Sequence, residues 1–177
     1  MRKYTVLAFF ALLLLQTSCV EDILELPERD FPEQTSESDN TNEENISRFA
    51  QDALAAVNQY RRQGVRCGNQ NQSAARNLKW NDQLATAALR HANDMKRKGF
   101  FAHQGSDGTK VGARVTATGY QWRAVGENIA KGYPNINAVM AAWKDSPGHC
   151  RNMMNSTYTE MGMARVDDIW VQVFAKK

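Results

Sequence analysis

The sequence predicts an α+β domain, with about four helices layered on a small sheet of three or more short antiparallel strands. Two kinds of periodicity carry that prediction. Around residues 48–63, 81–98 and 135–146, apolar side chains recur every three or four positions, the spacing of one helix face. The C-terminal runs EMGMARV and IWVQVFA instead alternate, and Asp167 and Asp168 between them give a hairpin signal.

The first 45 residues stand apart from that domain. Arg2 and Lys3 precede an uninterrupted apolar run over residues 6–15, too short to anchor in a bilayer and of the length of a signal-peptide core, so residues 1–18 are read as a signal peptide. The next stretch, LLQTSCV, resembles a bacterial lipobox, which implies cleavage before Cys19 and lipidation of its sulfur; Gln16 departs from that pattern, and plain secretion is the alternative. Residues 19–45 are read as an acidic disordered tether, because Pro27 and Pro32 interrupt any pattern and the segment EQTSESDNTNEEN offers nothing to bury. The acidic EDILE just after Cys19 also resembles signals that carry lipoproteins to the surface of some Gram-negative cells.

Charge divides the chain in the same place. Residues 20–45 hold ten Asp or Glu against Arg29 alone, a net of −9, so with the whole chain at +3 and Arg2 and Lys3 ahead of the tail, residues 46–177 carry +10. The cations are scattered, from Arg48 through Arg114 to Lys177, and no zinc-finger or RNA-binding spacing accompanies them. No nucleic-acid partner is expected; the surface suits anionic lipid or polysaccharide.

Cysteines follow the compartment. With Cys19 acylated or removed, Cys67 and Cys150 remain as the thiols of an exported domain, and oxidising compartments pair such thiols. A Cys67–Cys150 disulfide is expected, contributing roughly 4 kcal/mol by the chain-entropy estimate.

Within the domain, taken as residues 46–177, Ser47 reads as the cap of a first helix with Phe49, Ala53, Ala56, Val57 and Tyr60 on one face and an end near Gly64. VRCGNQNQSAARN reads as a loop. A second helix, from Asn81 to Lys98, has Asn81 as cap, Trp80 as the preceding staple, and Leu84, Ala88, His91 and Met95 on its apolar face, which makes His91 a hydrogen-bonded core histidine. Gly99 ends it, and His103 falls on the loop that follows. A third helix is read over residues 110–118, stopped by Gly119. VGENIAKGY, residues 125–133, reads as a strand, and the helix after Asn135 places Ile136, Val139, Met140 and Trp143 on one side.

Few residues can carry chemistry, since residues 46–177 hold the chain's three histidines and nine acids. Glu127 is the acid of the VGENIAKGY strand and, so placed, needs partners. In SPGHC, Ser146 reads as an N-cap and Pro147 as the first helical residue, so His149 lies in an opening turn whose dipole disfavours imidazolium. A neutral imidazole binds metal or accepts a proton. A Cys150–His149 nucleophile pair is disfavoured, because neighbours on a helix point about 100° apart and Cys67 competes for the sulfur. No GxSxG, HExxH, CxxC or phosphate-cradling glycine motif is present.

FFAHQGSDG, GENIA, AAWKDSPGHCRNMM and YTEMGMARV…IWVQVFA, in that order, resemble the bacterial branch of the CAP superfamily, whose domain is shared by cysteine-rich secretory proteins, antigen 5 and plant pathogenesis-related proteins. The resemblance implies an α-β-α sandwich with a small central antiparallel sheet. It also implies export and a cleft lined, in eukaryotic members, by two histidines and two glutamates able to hold a divalent metal. His103 matches the first histidine and Glu127 the glutamate of the GEN motif. Ser146 stands where the second glutamate belongs and Ile169 where the second histidine belongs, while His149 of the SPGH motif offers an imidazole from another backbone position. The ligand set this leaves is His103, His149 and Glu127, with zinc as the ion that suits imidazoles.

Two functions follow. One is an exported, lipid-anchored, monomeric binding module, attached to the membrane through Cys19, whose His/Glu cleft takes a lipid or a cell-envelope glycan. The alternative is a hydrolase or peptidase in which Glu127 is the general base toward a water held by His103 and His149, with or without metal. Beside both stands a purely structural reading, in which Glu127 and His103 are a hydrogen-bonded pair that fixes the loop to the strand.

Overall fold

Helix α2 (Asp82–Lys98) follows its local signals. The Asn81 side chain accepts hydrogen bonds from the backbone N–H of Gln83 and Leu84, and Gly99 closes the other end at φ 68°, a left-handed conformation suited to glycine. In the computed structural model, residues 37–177 are described, with side chains from residue 48 onward. The signal peptide, Cys19 and the tether as far as residue 36 therefore lie outside the described residues.

Helix α1 (Glu37–Gln63) begins ahead of the Ser47 cap read from the sequence and takes in residues 37–45 of the segment read as tether. Acidic residues early in a helix favour that extension, because the positive end of the macrodipole lies there. The helices α3 (Val111–Thr116), α4 (Ile136–Asp145) and α5 (Pro147–Met154) follow α2. Asn135 caps α4 by accepting from the Ala138 N–H.

Strands β3 (Lys79–Trp80), β4 (Ala124–Lys131), β5 (Glu160–Val166) and β6 (Ile169–Lys176) form one sheet in the order β3-β5-β6-β4. The β5–β6 hairpin turns at Asp167 and Asp168, as its alternation predicts, and Asp167 takes φ 54°. The sheet is not wholly antiparallel, however, because β3 pairs with β5 in parallel. The stretch read as a loop after α1 also contains a small antiparallel ribbon, β1 (Val65–Cys67) with β2 (Gln70–Gln72). Gly68, at φ 63°, supplies its turn.

The sheet separates two apolar layers. Side chains of Met161, Met163, Trp170 and Phe174 pack with Ala53 and Val57 of α1, Trp143 of α4 and Met153 of α5. On the other face, Val171, Val173 and Ala175 pack with Leu84, Ala88 and Met95 of α2 and Val115 of α3. This alternation along β6 makes the domain an α-β-α sandwich. Gly162 lets α2 lie directly on β5, since a Cβ there would overlap the backbone of Leu84 and Ala85.

Cys67 and Cys150 form the expected disulfide, with Cα atoms 5.5 Å apart across 83 positions of sequence. It ties the β1–β2 ribbon to α5, and both sulfurs are buried beside Met154. A second tie runs through Arg61, fully buried on α1. Its guanidinium donates to the carbonyls of Arg76 (2.8 Å), Met153 (2.7 Å), Asn155 (3.0 Å) and Tyr158 (3.4 Å).

Candidate functional site

β4 is an edge strand, and an edge leaves carbonyls unpaired. Here α4 and α5 cover them: Trp143 Nε1 donates to the Ile129 carbonyl at 3.3 Å and Asn152 Nδ2 to the Glu127 carbonyl at 3.1 Å. That cover brings the SPGH segment against the GEN segment.

Successive strand residues point to opposite faces, so Glu127 and Asn128 do different things. Glu127, opposite Val173 in the register, turns its side chain toward α2 and α3. There His103 Nδ1 donates to Oε1 at 2.8 Å and Arg114 Nη2 to Oε2 at 2.7 Å. The glutamate side chain is 2% exposed, whereas His103 is 59% exposed, so the buried acid aims an open imidazole. Arg114 also holds the loop itself, donating to the carbonyls of His103 (3.0 Å) and Thr109 (2.8 Å).

His91 closes the floor of this cluster. It is a buried core histidine, as its place on the apolar face of α2 predicts, with Nε2 2.9 Å from the Ala102 carbonyl and 4.0 Å from Glu127 Oε1. Burial pushes its pKa down, against the opposing pull of Glu127. With Nε2 as the donor to the carbonyl, Nδ1 is left without a hydrogen-bond partner.

Asn128 faces the other way and builds a buried amide network. It donates to its cross-strand partner Gln172 (3.1 Å) and to the His149 carbonyl (3.2 Å), and accepts from Asn152 (3.0 Å). The network fixes the first turn of α5, and with it His149. The His149 ring lies against Trp143, with centroids 6.4 Å apart, and its Nδ1 is 2.9 Å from Ser146 Oγ.

Ser146 thus occupies the N-cap position of α5 without capping it through its side chain; its hydroxyl is given to the imidazole. The pKa of His149 is lowered first by burial and then by the nearby charge of His103. Burial is the leading cause of that lowering, in the same direction as the helix-dipole effect expected from the sequence.

Of the sequence-predicted residues, the structure brings His103 and Glu127 into direct contact, while His149 is held on the opposite face of β4, joined to the strand through its backbone carbonyl and Asn128. With Nδ1 of each ring hydrogen-bonded, Nε2 of His103 and of His149 is the ring nitrogen that makes no hydrogen bond among the described residues. Among the described residues, no three His, Cys, Asp or Glu side chains are grouped so as to hold a metal ion. Sequence reasoning missed Arg114, Asn128 and Asn152. Asn128 is legible as the third letter of GEN, but Arg114 and Asn152 gain their meaning only when their loop and helix reach β4.

The model of the Cysteine-rich secretory protein family matches residues 54–174. The uncharacterized protein YkwD of Bacillus subtilis strain 168 is 30% identical over 129 residues, 71% of this chain and 50% of that protein. Among solved structures, an extracellular protein containing an SCP domain from Bacillus anthracis superposes with a TM-score of 0.65 at 26% identity, covering 75% of this chain and 41% of its own. An outer surface protein of Borrelia burgdorferi shares the fold at a TM-score of 0.55 and 21% identity, over 80% of this chain and 96% of its own. The chain spans about half the length of its B. subtilis relative. No described helix is long and apolar enough to cross a membrane.

Proposed function

The chain belongs to the cysteine-rich secretory protein, or CAP, family, and on that premise we propose that it is an exported, lipid-anchored domain that binds a lipid or cell-envelope ligand at the β4-edge cleft. The anchor is assigned to Cys19 by its lipobox-like context. Extracellular and outer-surface placement of two structural neighbours supports the exported address.

The observation that carries binding over hydrolysis is the state of Glu127. A general base must reach the water whose proton it takes. Glu127 is buried, and each carboxylate oxygen already accepts a hydrogen bond, one from a guanidinium and one from an imidazole. It is thereby suited to positioning His103, which is the exposed member of the pair. A ligand would meet the Nε2 atoms of His103 and His149, with Phe101, 45% exposed, on the same loop as His103.

A divalent ion, zinc by the preference of imidazoles, would use the same two Nε2 atoms, with Glu127 orienting His103 from behind. Two imidazoles are fewer than the three or four protein ligands of a zinc site. The proposed function accordingly takes no step through a metal.

The test is a ligand screen on the full chain with fluorescent lipids and soluble envelope glycans. Binding of one class that falls about tenfold in His103→Ala, near the cost of a lost charged hydrogen bond, supports the reading. Failure to retain any of them, or wild-type retention by both His103→Ala and His149→Ala, would remove it.

A further inference from the structure

At the opposite edge of the sheet, the segment leading into β3 and the loop between α5 and β5 flank a groove of about 620 Å³. We propose that this groove binds a polyanionic glycan chain, independently of the β4-edge cleft.

Charge is the first argument. Arg76, Lys79 and Lys176 line the groove, and among the described residues none of them has an ion-pair partner. The acid in the lining, Glu160, is committed elsewhere: Asn81 donates to Oε1 at 3.0 Å and the Tyr120 hydroxyl to Oε2. Three cations and that one carboxylate, which neighbours Lys79 in the strand register, leave the groove lining a net charge of +2.

Arg61 strengthens the same field from beneath. It is fully buried, has backbone carbonyls rather than a carboxylate as partners, and takes two of those carbonyls from the lining residues Arg76 and Tyr158. Those negative ends are thus drawn inward, away from the groove. Among the described residues no carboxylate pairs with the Arg61 guanidinium, so it too adds positive charge beside these lining residues.

Shape and polarity choose the occupant. An adjoining groove of about 530 Å³ shares Ala74 and Ser156 with the first and adds Arg151, Asn71 and Ser73. The two make one elongated track, mixed in the first groove and mainly polar in the second, longer than a single phosphate needs. Ser156, Thr157 and Asn77 offer hydroxyl and amide partners, and none of the large exposed apolar residues Leu89, Phe101 and Trp122 lines it. A hydrated chain bearing repeated sulfate, phosphate or carboxylate groups fits this better than a bilayer, which would draw on exposed apolar side chains.

The test measures binding of the full chain to dextran sulfate and to neutral dextran of equal length at physiological ionic strength. Compared are the wild type, Arg76→Gln/Lys79→Gln/Lys176→Gln, and a control that removes the same charge elsewhere, Arg97→Gln/Lys98→Gln/Lys131→Gln. The proposal expects dextran sulfate alone to bind, with affinity about tenfold weaker in the groove variant and within about twofold of wild type in the control. Lys176→Gln alone, near the chain end, gives an intermediate loss and guards against misfolding of the triple variant. Equal losses in both triple variants, binding of neutral dextran as well, or tighter binding to anionic phospholipid vesicles with the same groove dependence would overturn it.

Discussion

Glu127 is buried with a guanidinium and an imidazole as partners, and its contribution to the site depends on keeping them. Taking away Arg114, itself 9% exposed in its side chain, would leave the carboxylate half satisfied in the interior. Arg114→Gln is expected to lower unfolding free energy by about 3 kcal/mol, the cost of stranding a buried charge, in guanidinium titrations; Arg114→Lys recovers part of it. The histidines add a pH dependence. His91 and His149 both have pKa values lowered by burial from the ordinary 6.5. The unfolded chain then binds more protons than the folded one as pH falls below that value, so stability is lost on acidification from neutral pH and is fully present above it. Urea unfolding from pH 7 to pH 5 should show that decline, and His149→Asn should make it shallower; a flat profile in the wild type would contradict the burial of neutral imidazoles.

Among the elements, α2 rests on β5 through the missing side chain at Gly162. Gly162→Ala forces a methyl into the helix backbone at Leu84 and Ala85 and is expected to destabilise by about 3 kcal/mol. Gly148→Ala, where a Cβ meets nothing within 4 Å, should instead raise helix propensity and stabilise slightly. Thermal melts of the two variants give opposite signs if the packing is as described. The Cys67–Cys150 tie is testable in the same way: reduction, or Cys67→Ser/Cys150→Ser, should cost about 4 kcal/mol. These elements also show what a sequence can reveal. The cap of α2 and the β5–β6 hairpin rest on neighbours within a few residues, and they were legible. The β1–β2 ribbon was not, because its Asn and Gln residues lack an apolar alternation and its position is set by a disulfide to α5. Nor was the parallel pairing of β3, two residues long, whose partner lies far along the chain. In the cleft, His103, Glu127 and His149 stood out by residue type and motif, whereas Arg114 and Asn152 act through distant backbone and were silent.

For the molecule as a whole, an acidic segment precedes a domain carrying +10, and the two edges of one sheet carry two different surfaces. The β4 edge holds a buried acid that positions an exposed imidazole; the β3 edge holds unpaired cations over a buried guanidinium. Both suit the proposed binding of envelope components rather than their cleavage. Native mass spectrometry of the full chain, followed over time after addition of envelope lipids and glycans, tests that claim most directly. A non-covalent adduct of constant ligand mass is expected, formed by the wild type and weakened about tenfold in His103→Ala. Shortened ligand fragments that accumulate with the wild type, and not with Glu127→Gln, would contradict it.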